Sequence, residues 1–380
     1  MLKRPLRVLH VYRTYFPETQ GGVQEAIRQI ALATRPFGIE TGIFTLAHDP
    51  VPATLNAEEG EITRARALFE IASCDFASPA GIRRCRAAAQ HADIVQVHYP
   101  WPFADMMLPF IRPGKQPLVV TYHSDIVRQG LLDTLYSPLR SYLLGSAARI
   151  IATSPPYAQT SPVLARYRDK TVCIPLALAD CPPAENALKA RWQQELGDDF
   201  FLFVGVPRYY KGLHFLVDAL PETTANIVVV GDGDGRSELE ARARALGAGN
   251  IRFLGRLPDT DKQALFELCR GVVFPSHLRS EAFGVTLLEG ARAGKPLISC
   301  EIGTGTSWVN QNEETGLVVP PADPSALAAA LNRLHGDPAL CARLGRNAHA
   351  RWQQEFQPEA IGAAYARLYR ELLEQPPQDV

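Results

Sequence analysis

The pattern of apolar and polar positions divides the chain into two successive series of the same kind. In the first half, short apolar runs rich in β-branched residues recur at Leu6–Tyr12, Thr41–Leu46, Asp93–Val97, Pro117–Tyr122, Arg149–Thr153 and Thr171–Ile174. Runs of this length bounded by turn residues predict strands. Stretches with helical spacing fall between them, the clearest being Val23, Ile27, Ile30 and Ala31, which follow a glycine pair at i, i+4, i+7 and i+8. Strands alternating with helices predict βαβ units and a parallel, doubly wound sheet. The alternation breaks between Pro175 and Pro183, where Pro182-Pro183 predicts a linker, and then restarts. Strands of the second series are predicted at Phe200–Val204, Asn226–Val230, Asn250–Leu254, Gly271–Pro275, Pro296–Cys300 and Leu317–Val319. The chain closes on Ile361, Tyr365, Leu368, Tyr369 and Leu372, the apolar stripe of an amphipathic helix. The expectation is an α/β protein of two doubly wound domains, residues 1–180 and 181–358, followed by a terminal helical segment, 359–380.

Composition supports two cores rather than one, since the 380 residues are 46% hydrophobic. The net charge of −1 carries no electrostatic footprint for nucleic acid. Residues 1–180 hold 19 Lys+Arg against 15 Asp+Glu, leaving 20 against 25 for the rest, so the halves are +4 and −5. A mildly basic first half suits an anionic membrane surface or a phosphorylated acceptor. The seven cysteines include no C-x-x-C pair, which reads as reduced thiols of a cytoplasmic protein with neither a disulfide frame nor a zinc site. Lys3 and Arg4 precede only a short apolar run interrupted by Arg7 and His10, a first strand rather than a signal peptide. No run approaches the 18 or so apolar residues of a spanning helix.

In open α/β sheets ligands bind beyond the carboxyl ends of strands, so chemistry is sought in the loops that follow them. After the predicted strand Gly271–Pro275 comes Ser276-His277-Leu278-Arg279-Ser280-Glu281-Ala282-Phe283-Gly284-Val285-Thr286-Leu287-Leu288-Glu289-Gly290. If a helix starts near Phe283 or Gly284, the amides of Phe283, Gly284 and Val285 are its first donors and form an anion site. Glu281 then lies in the approach loop, and Glu289 sits about 7–8 Å further along the helix. Two carboxylates flanking a phosphate cradle suit a polyhydroxylated phosphate ester, because carboxylates accept from sugar hydroxyls while the amides hold the charge.

Other post-strand loops add candidates. Gly21-Gly22-Val23 opens a helix after the first strand and the loop Tyr15 to Gln20, allowing close approach of backbone to a ligand. His123, in Thr121-Tyr122-His123-Ser124-Asp125, follows an apolar strand; Asp125 reads as a cap for the next helix. Gly205-Val206-Pro207-Arg208-Tyr209-Tyr210-Lys211-Gly212 places a guanidinium and an ammonium where they could neutralise a diphosphate leaving group. Val230-Gly231-Asp232-Gly233-Asp234-Gly235 suggests a dinucleotide turn or a D-x-D metal motif. The first lacks an acid about 20 residues on at a strand end, and the interleaved glycines favour a tight turn over metal coordination.

The Glu281-x7-Glu289 stretch resembles the E-x7-E signature of retaining glycosyltransferases with two facing Rossmann-like domains, family 4 of the GT-B fold. The likeness covers residues 6–372. It implies that the terminal helix crosses back onto the first domain. It also implies that Gly21 and Gly22 touch the donor diphosphate and the acceptor, and that His123 positions or polarises the transferred sugar. By the same resemblance Lys211 meets the diphosphate, Glu281 the donor sugar and Glu289 the ribose. Gly231, Gly233, Arg256 and Leu257 line the nucleotide pocket, and Phe283, Gly284 and Val285 hold the diphosphate. Where the family places an arginine directly after the glycine, this chain has Val206, and Arg208 stands two positions later as a substitute. The loop Cys300-Glu301-Ile302-Gly303-Thr304-Gly305-Thr306-Ser307 is similar to that of bacterial mannosyl- and rhamnosyltransferases of surface polysaccharide assembly.

The expected activity is therefore transfer, with retention, of mannose or a 6-deoxymannose such as rhamnose. The expected donor is GDP-mannose or GDP-rhamnose, and the acceptor a growing lipid-linked saccharide of the lipopolysaccharide O-antigen type. With no evident nucleophilic carboxylate in the first domain, front-face substitution is expected, the leaving phosphate taking the acceptor proton while domain closure excludes water. No cofactor and no metal enters this scheme, and peripheral membrane contact would fall to the first domain. A UDP-sugar donor, a nucleotide-sugar epimerase, an NAD oxidoreductase and a nucleotide-sugar sensor are the other readings.

Overall fold

The computed structural model describes residues 4–19, 21–71, 74–111, 116–125, 130–233 and 235–374. Gln20 and Asp234, named above, lie outside the described residues. The chain divides into two compact units, Met1–Ala177 together with Gln357–Val380, and Leu178–Phe356.

The first unit is built on strands β1 Leu6–Val11, β2 Ile39–Ala47, β3 Thr54–Ala57, β4 Gly60–Ile71, β5 Cys74–Ala77, β6 Ile94–Tyr99, β7 Leu118–Tyr122, β8 Arg149–Ala152 and β9 Thr171–Cys173. They form one sheet in the order β3-β4-β2-β1-β6-β7-β8-β9, with β5 pairing onto β4. Ladders from β4 through β2 and β1 to β9 are parallel, while β3 and β5 run antiparallel to β4. These last three strands depart from the sequence expectation. β4 was hidden because Glu61, Arg64 and Arg66 interrupt its apolar run, yet Arg64 is buried and its charge is met by Glu18. The Asp125 carboxylate accepts from Tyr122 Oη at 2.9 Å and Ser161 Oγ at 2.8 Å, and residues 126–129, where a helix capped by it would start, lie outside the described residues.

The terminal helix Pro358–Glu374 packs back on this sheet, as the fold class requires. Ile361, Tyr365, Leu368, Tyr369 and Leu372 join one apolar cluster with Val8, Ile30, Ile94, Val119 and Ile151. Gly362 makes the approach possible, since a Cβ there would meet the Ala33 carbonyl oxygen at 1.9 Å. Tyr369 Oη donates to Gln96 Oε1 at 2.5 Å and Gln96 Nε2 donates to Thr121 Oγ1 at 2.8 Å, so both ends of the buried Gln96 amide are satisfied.

The second unit holds β10 Phe200–Val204, β11 Asn226–Val230, β12 Ile251–Gly255, β13 Gly271–Phe274, β14 Leu297–Cys300 and β15 Gly316–Val319. Their order is β12-β11-β10-β13-β14-β15, parallel throughout. The buried β-branched and aromatic residues of β10, β11 and β13 are what a sheet covered on both faces demands. Strand order reverses between β10 and β13, the position at which doubly wound sheets bind ligands. None of the helices among the described residues is long and apolar enough to cross a membrane.

Candidate functional site

Lys211 and Glu281 meet at this switch point. Lys211 ends the short turn Tyr209–Lys211 after β10, its amide bonded to Arg208 O at 2.9 Å, and Glu281 lies in the loop after β13. Lys211 Nζ is 2.5 Å from Glu281 Oε2, which also accepts from Ser276 Oγ at 3.2 Å. The ammonium sits 4.7 Å from the Phe274 ring centroid and 5.5 Å from that of Tyr210. Burial opposes the Lys211 charge, but the Glu281 carboxylate overcomes it, and the group is held above its ordinary pKa with lesser help from Tyr210 and Glu289. The lysine is therefore a fixed cation. Arg208 is exposed, and among the described residues it is paired with no carboxylate.

The helix that carries Glu289 is Val285–Arg292, capped by Gly284 at φ 89°. That conformation and the 3.1 Å approach a Cβ would make to Phe274 and Leu287 restrict the position to glycine. Leu287 N bonds Gly284 O at 2.9 Å, which places the amides of Phe283, Gly284 and Val285 at the positive end of the helix dipole. Thr286 Oγ1 donates to Val204 O at 3.1 Å, tying the helix start to the end of β10. Glu289 is half-buried on the same helix and close enough to act on the Lys211 charge.

Two further segments complete the rim of this unit. The loop after β14 lies against the Glu281 loop: Thr304 Oγ1 donates to Glu281 O at 2.8 Å, Gly305 N to Ala282 O at 2.8 Å, and Arg279 Nη1 to Gly303 O at 2.9 Å. Gly231, at φ 136°, lets the turn after β11 touch the backbone of the β10 loop, where a Cβ would meet Gly205 O at 2.0 Å. A depression of about 690 Å³ beside it is lined by Asp232, Gly233, Arg236, Ser237, Glu240 and Arg256, with Leu257 next along the chain. Arg236 was not foreseen from the sequence. It lines this depression while bonding Glu240 Oε1 at 2.7 Å and Phe253 O at 3.2 Å. Asp232 is exposed, and its Oδ1 accepts from Gly233 N at 3.0 Å. Among the described residues no cluster of His, Cys, Asp or Glu is arranged to hold a metal ion.

In the first unit, Gly21 caps the helix Gly22–Thr34 in an extended conformation, and both glycines are exposed at its start. His123 follows β7 and is buried, its amide bonded to Tyr99 O at 3.0 Å. Burial lowers its pKa to about 3, so the ring is neutral. Another cavity of about 690 Å³, lined by Arg7, Arg35, Glu40, Glu59 and His91 among others, lies at the amino ends of β1, β2 and β4 and contains none of the expected site residues.

Residues 185–351 match the family described as glycosyl transferases group 1, and residues 21–177 match the glycosyl transferase 4-like domain. Over 370 residues the chain is 45% identical to O-antigen chain mannosyltransferase C of Escherichia coli, covering 97% of this chain and 99% of that protein. It belongs to the group 1 glycosyltransferases. This glycosyltransferase is also 49% identical over 354 residues to D-rhamnosyltransferase WbpZ of Pseudomonas aeruginosa, with 92% of each chain covered. Among solved structures, sucrose-phosphate synthase from Thermosynechococcus elongatus superposes with a TM-score of 0.80 at 23% identity, covering 97% of this glycosyltransferase and 99% of that chain. WaaG, a glycosyltransferase involved in lipopolysaccharide biosynthesis, superposes with a TM-score of 0.65 at 17% identity, covering 95% and 99%. At these identities the likenesses establish the GT-B fold of the glycosyltransferase, two Rossmann-like domains with parallel sheets.

Proposed function

We propose that this glycosyltransferase moves mannose or a 6-deoxymannose such as rhamnose, with retention, from a GDP-sugar onto a growing lipid-linked polysaccharide of the O-antigen type. The observation that carries the sugar class is the near full-length identity to a mannosyltransferase and a D-rhamnosyltransferase. The site geometry is compatible with the chemistry. Lys211, kept charged by Glu281, and the exposed Arg208 supply the cations that a diphosphate leaving group needs as its bond to the sugar breaks.

In this reading the amides of Phe283 to Val285 hold the diphosphate at the helix start. Glu281 divides its two oxygens between Lys211 and a donor-sugar hydroxyl, and Glu289 binds the ribose. Gly233, Arg256 and Leu257 face the nucleotide, with Gly231 shaping the turn. Gly21 and Gly22 offer amides to the diphosphate and acceptor, and neutral His123 polarises a sugar hydroxyl. The released phosphate oxygen takes the acceptor proton, so no protein base is required. The acceptor's lipid places the first unit, the more basic half, at a membrane surface.

Thermal stabilisation by GDP, UDP, ADP and NAD at equal concentration tests the donor, because a ligand of the native state raises its apparent stability. Selective stabilisation by GDP is expected. Preference for UDP or ADP would retain the transferase and remove the proposed donor, and preference for NAD would overturn the assignment. Transfer from GDP-mannose and GDP-rhamnose, with the anomeric configuration of the product read by NMR, tests sugar and stereochemistry.

A further inference from the structure

Three histidines form a continuous row, hydrogen-bonded edge to edge, across the sheet of the first unit. His10 in β1, His98 in β6 and His123 just after β7 lie on neighbouring strands, with ring centroids 5.2 and 5.1 Å apart and planes 24° and 21° from parallel. His10 Nδ1 is 2.9 Å from His98 Nε2, and His98 Nδ1 is 2.8 Å from His123 Nε2. All three are buried, at 1%, 0% and 7% exposure, with His123 the most accessible. Among the described residues no carboxylate or cation hydrogen-bonds any of the rings. The position that an orienting carboxylate commonly takes beside a functional histidine is here filled by another imidazole.

A neutral imidazole has one N–H and one lone pair, so each N···N contact needs the proton on one side only. Two such contacts in series allow two arrangements. In one, His10 Nδ1–H donates to His98 and His98 Nδ1–H donates to His123 Nε2, so His123 presents an N–H at Nδ1. In the other, His123 Nε2–H donates to His98, His98 Nε2–H donates to His10, and His123 presents a lone pair at Nδ1. Any mixed arrangement sets two protons or two lone pairs against each other at hydrogen-bonding distance. Burial keeps the three rings neutral, holding His10 and His123 at about 3 and His98 well below its ordinary value, which removes the doubly protonated escape from this constraint.

We propose that His98 and His10 are positioning residues that lock His123 into one tautomer. Its Nδ1 then offers a single hydrogen-bonding sense to the donor sugar, and a proton shift there requires all three rings to shift together. The contact with sugar rests on the function proposed above; the lock itself does not.

NMR of the full chain with isotope-labelled histidine reads the tautomer of each ring directly, with resonances assigned by single variants. The expected result is one shared tautomer for His10, His98 and His123 in the unmodified protein. Differing tautomers, or a mixture at His123, would overturn the lock without any variant having to fold. In His98→Phe, which keeps a flat ring in the row, His123 should populate both tautomers. GDP should still stabilise the protein, while kcat falls by about tenfold or more, part of what a well-placed proton donor or acceptor contributes. An unchanged His123 tautomer in that variant overturns the proposal. A released tautomer with unchanged kcat keeps the lock and removes His123 from the proposed sugar contact.

Discussion

Lys211 Nζ and Glu281 Oε2 stand 2.5 Å apart across the two strands at which the order of the second sheet reverses. Both side chains are largely withdrawn from solvent, at 14% and 12% exposure, and the carboxylate keeps the ammonium charged. The two groups expected to act separately on phosphate and sugar are thus one electrostatic unit.

A substitution at either residue should therefore cost stability as well as activity. Lys211→Met and Glu281→Gln should each lower unfolding stability by about 3 kcal/mol, because each leaves the other ion partly buried without its partner. The double variant should lose less than the sum, with a coupling of about 1 kcal/mol or more by urea unfolding. Strict additivity would show that the pair is not coupled.

The same pair sets an alkaline limit. The folded pKa of Lys211 lies above its ordinary 10.5, so its contribution is present below that value and is lost as pH rises through the raised one. Stability above pH 10.5 should fall more steeply in the unmodified protein than in Lys211→Met.

Arg208→Ala removes an exposed side chain with no carboxylate partner among the described residues, and stability should change by no more than about 0.5 kcal/mol. If it neutralises the diphosphate, stabilisation by GDP and the transfer rate should both fall, by roughly tenfold or more in the rate. Unchanged values for both would leave Arg208 a surface residue.

His10, His98 and His123 have pKa values depressed by burial, so the unfolded chain binds protons there that the folded chain refuses. Their contribution is fully present above the ordinary value of 6.5 and is lost as pH falls towards about 3. Acid unfolding should show a slope of up to about 1.4 kcal/mol per pH unit for each histidine. The slope should be shallower in His98→Phe, and an identical slope would show that these rings do not govern acid stability.

Gly362→Ala places a methyl against the Ala33 carbonyl where the terminal helix crosses the helix Gly22–Thr34. Overpacking of this kind costs about 1–3 kcal/mol, and a thermal midpoint equal to that of the unmodified protein would show that the two helices separate freely.

Much of the fold was legible in the sequence because parallel strands covered on both faces are continuous apolar runs, and Phe200–Val204 and Asn226–Val230 appear in the structure with those limits. β4 was not legible, because a strand near a sheet edge tolerates Arg64 and Arg66, and the carboxylate that meets Arg64 comes from distant Glu18. At the site, the glycine and glutamate spacing located the Val285–Arg292 helix start, since local turn chemistry is written in local sequence. Arg236 carried no such signal: a charged residue in a helix's first turn looks like any solvated one until the fold brings a depression beside it.

The sequence by itself determined two series of alternating strands and helices, and the loops beyond the strand ends in which glycines, glutamates and a lysine gather. These follow from periodicity and from backbone rules that act over a few residues. Tertiary structure alone decided which of those residues touch. The 70-residue separation of Lys211 from Glu281 and the meeting of His10, His98 and His123 on three strands depend on strand order. Strand order comes from the burial of whole faces against one another, and no short stretch of chain records it.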